Sequence, residues 1–211
     1  MVQPMDQVTP NMGKQVDHGR TPHPVVVSRV PLHKGRKFDY EQLLVRGASG
    51  REHTREVVRH PGAVVVVGVQ SHPIDPPSLV LIRVYRASLE RSCWECCAGT
   101  LEAGEDPAEC AARELTEETG YQAGALTHLA TFHTSPGLSD ERMHAFVATD
   151  LRPVGQRLEP DEDIQVHLLP VARVLEMIDS GEIADGKSIA AILLALRRGL
   201  IPQPEGSDQT A

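Results

Sequence analysis

The chain has 211 residues and a formal net charge of −8 at pH 7, with 40% hydrophobic and only 3% aromatic residues. That length supports one domain with a sizeable core, or one domain and a small appendage. The acidic balance argues against broad nucleic-acid or membrane-surface binding, but not against a small anionic substrate, because metals and a few arginines can reverse a local field.

Residues 1–24 are rich in Pro, Gln, Gly and His, with little apolar periodicity, and are expected to form a disordered tail. Residues 25–30 are a β-branched run and predict a strand. A turn near Lys34, Gly35 and Arg36 leads to a second strand over 37–45. Another turn at 47–50 leads to a third over 52–58. These strands predict a small N-terminal antiparallel β-sheet over 25–60, ahead of a main domain over 61–200. Residues 63–69 form a continuous apolar run, expected to be a strand buried on both faces, and 79–85 predict another buried strand. Residues 94–98 lead into a segment whose centre reads as a helix. Asp106 can cap it, Pro107 suits its first turn, and Gly120 can end it in a left-handed conformation. Ala108, Ala111, Ala112 and Leu115 would supply its apolar face. Strands follow over 126–133, 143–149 and 164–169. Helices are expected over 171–180 and 188–198, stopped by Gly181 and Gly199, before a disordered tail over 201–211. Strands in the middle with helices outside predict an α/β/α sandwich.

Three of the four cysteines, Cys93, Cys96 and Cys97, sit within five residues, and the fourth is Cys110. Zinc is one reading. No second Cys or His cluster has finger-like spacing, and Cys97 directly follows Cys96, so reduced thiols are expected. No run reaches transmembrane length, and the N-terminus lacks a charged-then-apolar signal pattern. A cytoplasmic enzyme is expected.

Residues 99–121 read GTLEAGEDPAECAARELTEETGY. Glu114, Glu117 and Glu118 stand three and four positions apart, on one side of a helix. Carboxylates crowded in this way repel one another. A cation relieves the repulsion, and hard oxygen ligands suit Mg²⁺ or Mn²⁺. Alone, those glutamates could equally be a solvated acidic face. The whole string, with Gly99, Glu105, Arg113, Glu114, Glu117, Glu118 and Gly120 in fixed register, resembles the box of the Nudix hydrolase family.

That resemblance implies a Nudix α/β/α sandwich and hydrolysis of a nucleoside diphosphate joined to another group. The flanks resemble the ADP-ribose and nucleotide-sugar pyrophosphatase branch: residues 55–64, 81–86, Trp94 and Glu95, and 161–166. Pro136, sixteen residues after Gly120, matches the usual marker of the ADP-ribose branch. The chain departs from the family in Cys96 and Cys97, where Leu and Pro are common, and in its scarcity of aromatics. Phe38, Tyr40 and Trp94 are the candidates to stack a base.

By resemblance, Glu114 and Glu118 would bind metal from the helix, the Ala98 carbonyl from the preceding loop, and Glu162 from the late acidic loop, holding two or three Mg²⁺ or Mn²⁺ ions. Gly99 would let the backbone turn tightly and approach the phosphates. Arg113 would orient a box carboxylate, and Glu105 and Glu117 would support or join a second metal. The general base stays open among Glu141, Glu159, Asp161 and Glu162. Arg55, Glu56, Arg86 and Glu141 would hold substrate, Arg86 being alternatively a strand-end surface residue. His60, His133 and His144 read as structural. The expected reaction is ADP-ribose and water giving AMP and ribose 5-phosphate. The alternatives are GDP-mannose or a UDP-sugar as substrate, nucleoside-triphosphate or capped-RNA hydrolysis, and a non-catalytic binding module. The branch also implies a homodimer in which Arg55 and Glu56 reach the partner's site. No nucleic-acid or membrane partner is expected.

Overall fold

A computed structural model describes residues 23–71, 76–160 and 162–202. The expected tails fall almost entirely outside them, as does Asp161.

The centre of the fold is β4 (Ala63–Gln70), the apolar run AVVVVGVQ. Alternate side chains of a strand point to opposite faces. Val65, Val67 and Val69 accordingly enter one core cluster, and Val64 and Val66 the other. Each fully buried valine contributes about 1.5–3 kcal/mol of hydrophobic stabilisation. On one edge β4 pairs in parallel with β10 (Arg142–Thr149), which pairs with β9 (Ala125–His133). The other edge is shared. Residues 63–66 pair with β7 (Cys97–Thr100), and residues 68–70 with β5 (Ser78–Arg86). β5 also carries β6 (Arg91–Glu95) and β12 (Ile164–Pro170).

The helix α1 (Pro107–Thr119) covers one face. Asp106 accepts the Ala108 N–H at 2.8 Å, and Gly120, at φ 71°, donates its N–H to the Thr116 carbonyl. On the other face lie α2 (Val171–Asp179) and α3 (Gly186–Arg197). The layers make the α/β/α sandwich expected from sequence. No helix among the described residues is long and apolar enough to cross a membrane. The N-terminal sheet is antiparallel, in the order β1 (Val25–Lys34), β2 (Asp39–Arg46), β3 (Glu52–Arg59). Every residue of β1 is exposed. β3 is tied to the main domain by the loop before β10: Val58 donates its N–H to Leu138 O at 2.9 Å, and Arg59 pairs with Asp140 at 2.9 Å.

Several expectations change. Burial along β5 stops at Ile82, and Tyr85 is 55% exposed, because the end of the strand passes beyond both core clusters. Ala108 and Ala112 are exposed; α1 packs instead through Cys110, Ala111 and Leu115. α3 begins before Ser188, because Asp185 caps it by accepting the Ser188 N–H at 3.0 Å. The short pair β8 (Tyr121–Gln122) and β11 (Arg152–Pro153) was not expected; two residues carry no periodicity.

Candidate active site

The site grows from the junction of β7 and α1. Glu118 lies in the last turn of α1, is 6% exposed, and accepts the Ala98 N–H at 3.0 Å through Oε2. One turn earlier, Glu114 lies flat against Gly99. A Cβ at position 99 would stand 1.9 Å from the Glu114 carboxyl carbon. Gly99 is therefore required for the close approach of this carboxylate. It lies within a strand, not in the tight turn expected from sequence, and its backbone needs no glycine-specific conformation.

Arg113 ties the surrounding carboxylates together. Its Nε and NH2 donate to Glu105 at 2.8 and 3.1 Å, and its NH1 to Glu114 at 2.8 Å and Glu117 at 3.2 Å. Glu105 also accepts the Glu102 N–H at 2.9 Å.

The late loop is sewn onto the C-terminal end of α1. Gln156 donates to Glu118 O at 2.7 Å and to Ile164 O at 3.1 Å, and Arg157 N–H donates to Glu117 O at 3.0 Å. Gly120 fits under this loop, since a Cβ there would meet Gln156 N at 2.7 Å. The stitching brings Glu159 and Glu162 to the same cleft as Glu114, Glu117 and Glu118, a space of 980 Å³. Glu162 accepts the Glu159 N–H at 2.9 Å. The rim carries cations, among them Lys37, Arg59 and Arg86.

Burial pushes the Glu118 carboxyl up to about 7, with the Glu114 and Glu162 charges adding, against the Ala98 N–H and the Cys97 thiol. Burial also raises Glu114, against the opposing pull of Arg113. Glu105 moves the other way, held down to about 2 by its bonds to Arg113. A buried carboxylate beside two like charges is what a hard divalent cation stabilises, and every side-chain donor here is oxygen. Among the described residues no three Asp, Glu, His or Cys side chains already converge on one ion position. Glu118 is turned to Ala98, Glu114 to Arg113, and Glu162 to Glu159. An ion would compete with those N–H donors. The donor set fits a divalent metal in chemistry and in charge.

A second cavity, 630 Å³, joins the cleft at Arg86, Ala98, Gly99 and Thr100. Glu141 lies there and not among the box carboxylates. It accepts the Thr134 hydroxyl, and its Oε1 stands 3.7 Å from His60 Nδ1. Arg86 is no mere strand-end surface residue. It donates twice to the buried Glu95, at 2.7 Å each, and lines both cavities.

Arg55 and Glu56 line neither cavity in this chain. Among the described residues the Arg55 guanidinium reaches only Thr54 O, at 3.3 Å, and Glu56 accepts the Tyr40 hydroxyl. Of the aromatic candidates, Phe38 alone lines the cleft. Trp94 instead packs edge-on to His167 at 4.6 Å, beneath Arg83. His60 and His133 do line the cavities, whereas His144 is bonded to Thr131 at 3.1 Å. Cys96 and Cys97 point into opposite core layers, so the two thiols cannot share one ion. Burial pushes the Cys96 and Cys110 thiols up to about 12.

Sequence reading missed Glu95, Asp185 and Lys187 as site residues. Lys187 bonds Glu95 across 92 positions of sequence, a separation that no local spacing signals. The pattern Asp185-Gly-Lys-Ser188 does carry a helix-cap signal.

Residues 58–192 match the family described as NUDIX domain. An ADP-ribose pyrophosphatase of Bacillus subtilis (strain 168) is 37% identical over 180 residues, covering 84% of this chain and 95% of that protein. A GDP-mannose pyrophosphatase of Salmonella typhimurium (strain LT2) is 34% identical over 165 residues, covering 73% of this chain and 83% of that protein. A crystal structure described as an ADP compounds hydrolase superposes with a TM-score of 0.74 over 86% of this chain and 97% of that one; at 23% identity it shows the shared fold. With the box carboxylates gathered at one cleft and relatives of this similarity over most of its length, the chain belongs to the Nudix family, as a hydrolase of its ADP-ribose and nucleotide-sugar pyrophosphatase branch.

Proposed function

We propose that this enzyme hydrolyses the pyrophosphate of ADP-ribose to AMP and ribose 5-phosphate. The observation that carries the reading is the gathering of Glu114, Glu118 and Glu162 beside Ala98 and Gly99, with Arg86 at the edge of the same cleft. The likeness to an ADP-ribose pyrophosphatase over 95% of that protein's length supports the substrate.

Glu114, Glu118, Glu162 and the Ala98 carbonyl are the groups that would hold two or three Mg²⁺ or Mn²⁺ ions. Such ions neutralise phosphate charge and make bound water acidic. The chain's own residues do the rest. Arg113 holds Glu105, Glu114 and Glu117 in place through its fixed fork. The spare N–H groups of Arg86 bind phosphate oxygens. Phe38, 53% exposed at the rim of the cleft, offers a face to the base. Water attacks one phosphorus and the bridging P–O bond breaks. A carboxylate accepts the proton of the water. With Glu162 given to metal, the candidates for that task are Glu159, beside it in the cleft, and Glu141, which lines the connected cavity.

Arg55 and Glu56, remote from this chain's cleft, would serve the partner's site in a homodimer built on the exposed face of β1. Four free thiols suit a reducing compartment, and we place the enzyme in the cytoplasm. A second reading, GDP-mannose as the preferred substrate, is favoured by the 34% identical relative.

The test is a comparison of kcat/KM for ADP-ribose, GDP-mannose, a UDP-sugar and ADP-glucose with Mg²⁺. ADP-ribose is expected to exceed the others by at least about tenfold, some 1.4 kcal/mol of transition-state preference. A higher value for GDP-mannose would transfer the assignment to that sugar.

A further inference from the structure

On the reading above, the nucleoside and the phosphate attached to it lie in the carboxylate cleft. The 630 Å³ cavity that joins it at Arg86, Ala98, Gly99 and Thr100 then lies where the other half of the substrate must go. Arg86, Asp185 and Lys187 line its wall and form a charged cluster around the buried Glu95 behind it. Glu95 is 2% exposed and accepts Nε and NH2 of Arg86 at 2.7 Å each. The same carboxylate accepts Lys187 Nζ. Lys187 also pairs with Asp185 at 3.0 Å. Asp185 caps α3 and accepts the Ser188 hydroxyl, and Ser188 Oγ accepts the Cys96 N–H at 2.8 Å. β5, β6 and the start of α3 are thereby locked to one another.

Burying such a cluster is weak evidence for stability, because well-packed apolar residues of the same volume usually serve as well. Its spare donors point to another use. Arginine carries five N–H groups, and among the described residues two go to Glu95, leaving three. The lysine ammonium carries three, and among the described residues one goes to Glu95 and one to Asp185, leaving one. Glu95, by contrast, has committed both oxygens. Arg86 and Lys187 both line the cavity, so the cluster offers it N–H donors in a fixed arrangement. Thr134 and Glu141 also line it and supply oxygen acceptors. Cationic donors together with hydroxyl-binding oxygens suit a phosphorylated sugar.

We propose that Lys187 contacts the sugar-phosphate half of the nucleoside diphosphate sugar, as the second cation beside Arg86, and that this cavity is where that half lies. The proposal rests on the substrate class given above. It adds a contact residue 88 positions after Gly99, outside the box.

The test is calorimetric titration of the full-length protein, in Mg²⁺ buffer, with ribose 5-phosphate and separately with AMP. Lys187→Met is expected to weaken ribose 5-phosphate binding at least about tenfold while leaving AMP within about twofold. Ala190→Leu narrows the same cavity from one helical turn beyond Lys187, keeps every charged side chain, and is expected to do likewise. If Lys187→Met does not fold, Lys187→Gln is read in the same way and decides the matter, while Ala190→Leu tests the cavity. Unchanged ribose 5-phosphate affinity in the folded variant overturns the proposal, as does equal weakening of both ligands, which would mark general loosening. If the wild type binds mannose 1-phosphate and not ribose 5-phosphate, the ADP-ribose reading fails, and Lys187 is judged on mannose 1-phosphate. If neither sugar phosphate binds, the cavity is not a sugar-phosphate site.

Discussion

The β7–α1 junction and the N-terminal sheet differ in where their partners lie. At the junction, Arg113 finds Glu105, Glu114 and Glu117 within eight positions of itself, and Glu118 reaches Ala98 twenty positions away. In the N-terminal sheet, all ten residues of β1 are exposed, and among the described residues the Arg55 side chain hydrogen-bonds only to its own neighbour. A site made of one strand and one capped helix is determined by spacing, because helix periodicity alone sets which side chains meet. The strand β1, exposed along its whole length, has no comparable set of local partners. The two regions should therefore respond differently to substitution.

The largest effect is expected at the junction. Glu118→Gln should lower turnover by more than about 100-fold, beyond what loss of an outer support usually does. It should also separate function from stability. Inside the fold Glu118 titrates at about 7, above its ordinary value of 4.5, so folding favours its protonated form. That stabilisation is complete below about pH 4.5 and is lost as pH rises through about 7. At pH 8 the wild type carries a buried charge that glutamine removes. In chelator the variant should then be the more stable of the two, by on the order of 2–3 kcal/mol, with the gap closing at pH 4.5. Thermal melting of both proteins at the two pH values decides it. A variant less stable than wild type at pH 8 would break the account of that carboxylate.

Gly99→Ala comes next. The new methyl must displace Glu114, whose carboxyl carbon it would meet at 1.9 Å. Turnover is expected to fall by about 10- to 100-fold. Melting should move little, since the side chain that yields is flexible. Unchanged kcat with a lowered melting temperature would mean that Gly99 serves packing alone.

Substitutions in the N-terminal sheet sharpen the contrast. Val26→Asp with Val30→Asp places charges on β1, where those valines are 45% and 51% exposed. Sedimentation should show a shift from dimer to monomer, and the KM for ADP-ribose should rise several-fold. Arg55→Ala should raise KM similarly with the dimer intact. A fully active monomer would remove the partner from the mechanism. The smallest effect is expected for Arg46→Ala. Its 2.8 Å pair with Glu52 joins side chains that are 51% and 41% exposed, and its loss should change stability by no more than about 1 kcal/mol in urea unfolding.

The same contrast explains what the sequence reveals. The capped helix, the apolar run of β4 and the register of Glu114 and Glu118 follow from local chemistry: Asp106 and Gly120 bound the helix, and four consecutive valines can be buried on both faces. Burial at the edges follows from neighbours instead. Ala108 and Ala112 looked like core and are exposed, while Cys110 is buried. Gly99 looked like a turn residue and is a strand residue facing a carboxylate. The Glu95, Arg86 and Lys187 cluster joins a strand to a helix 92 positions later. Only the folding of α3 over the sheet brings those charges together.

Metal-dependent hydrolysis at the box carboxylates is probed most directly by the rate of AMP release from ADP-ribose. Wild type and Glu118→Gln are each measured across a Mg²⁺ titration and again in excess chelator. Release by wild type is expected to be fast, to rise with Mg²⁺ and to vanish in chelator, with the variant slow at every concentration. Wild-type release undiminished by chelator, or a variant as fast as wild type, would contradict a metal-dependent hydrolysis centred on Glu114, Glu118 and their neighbours.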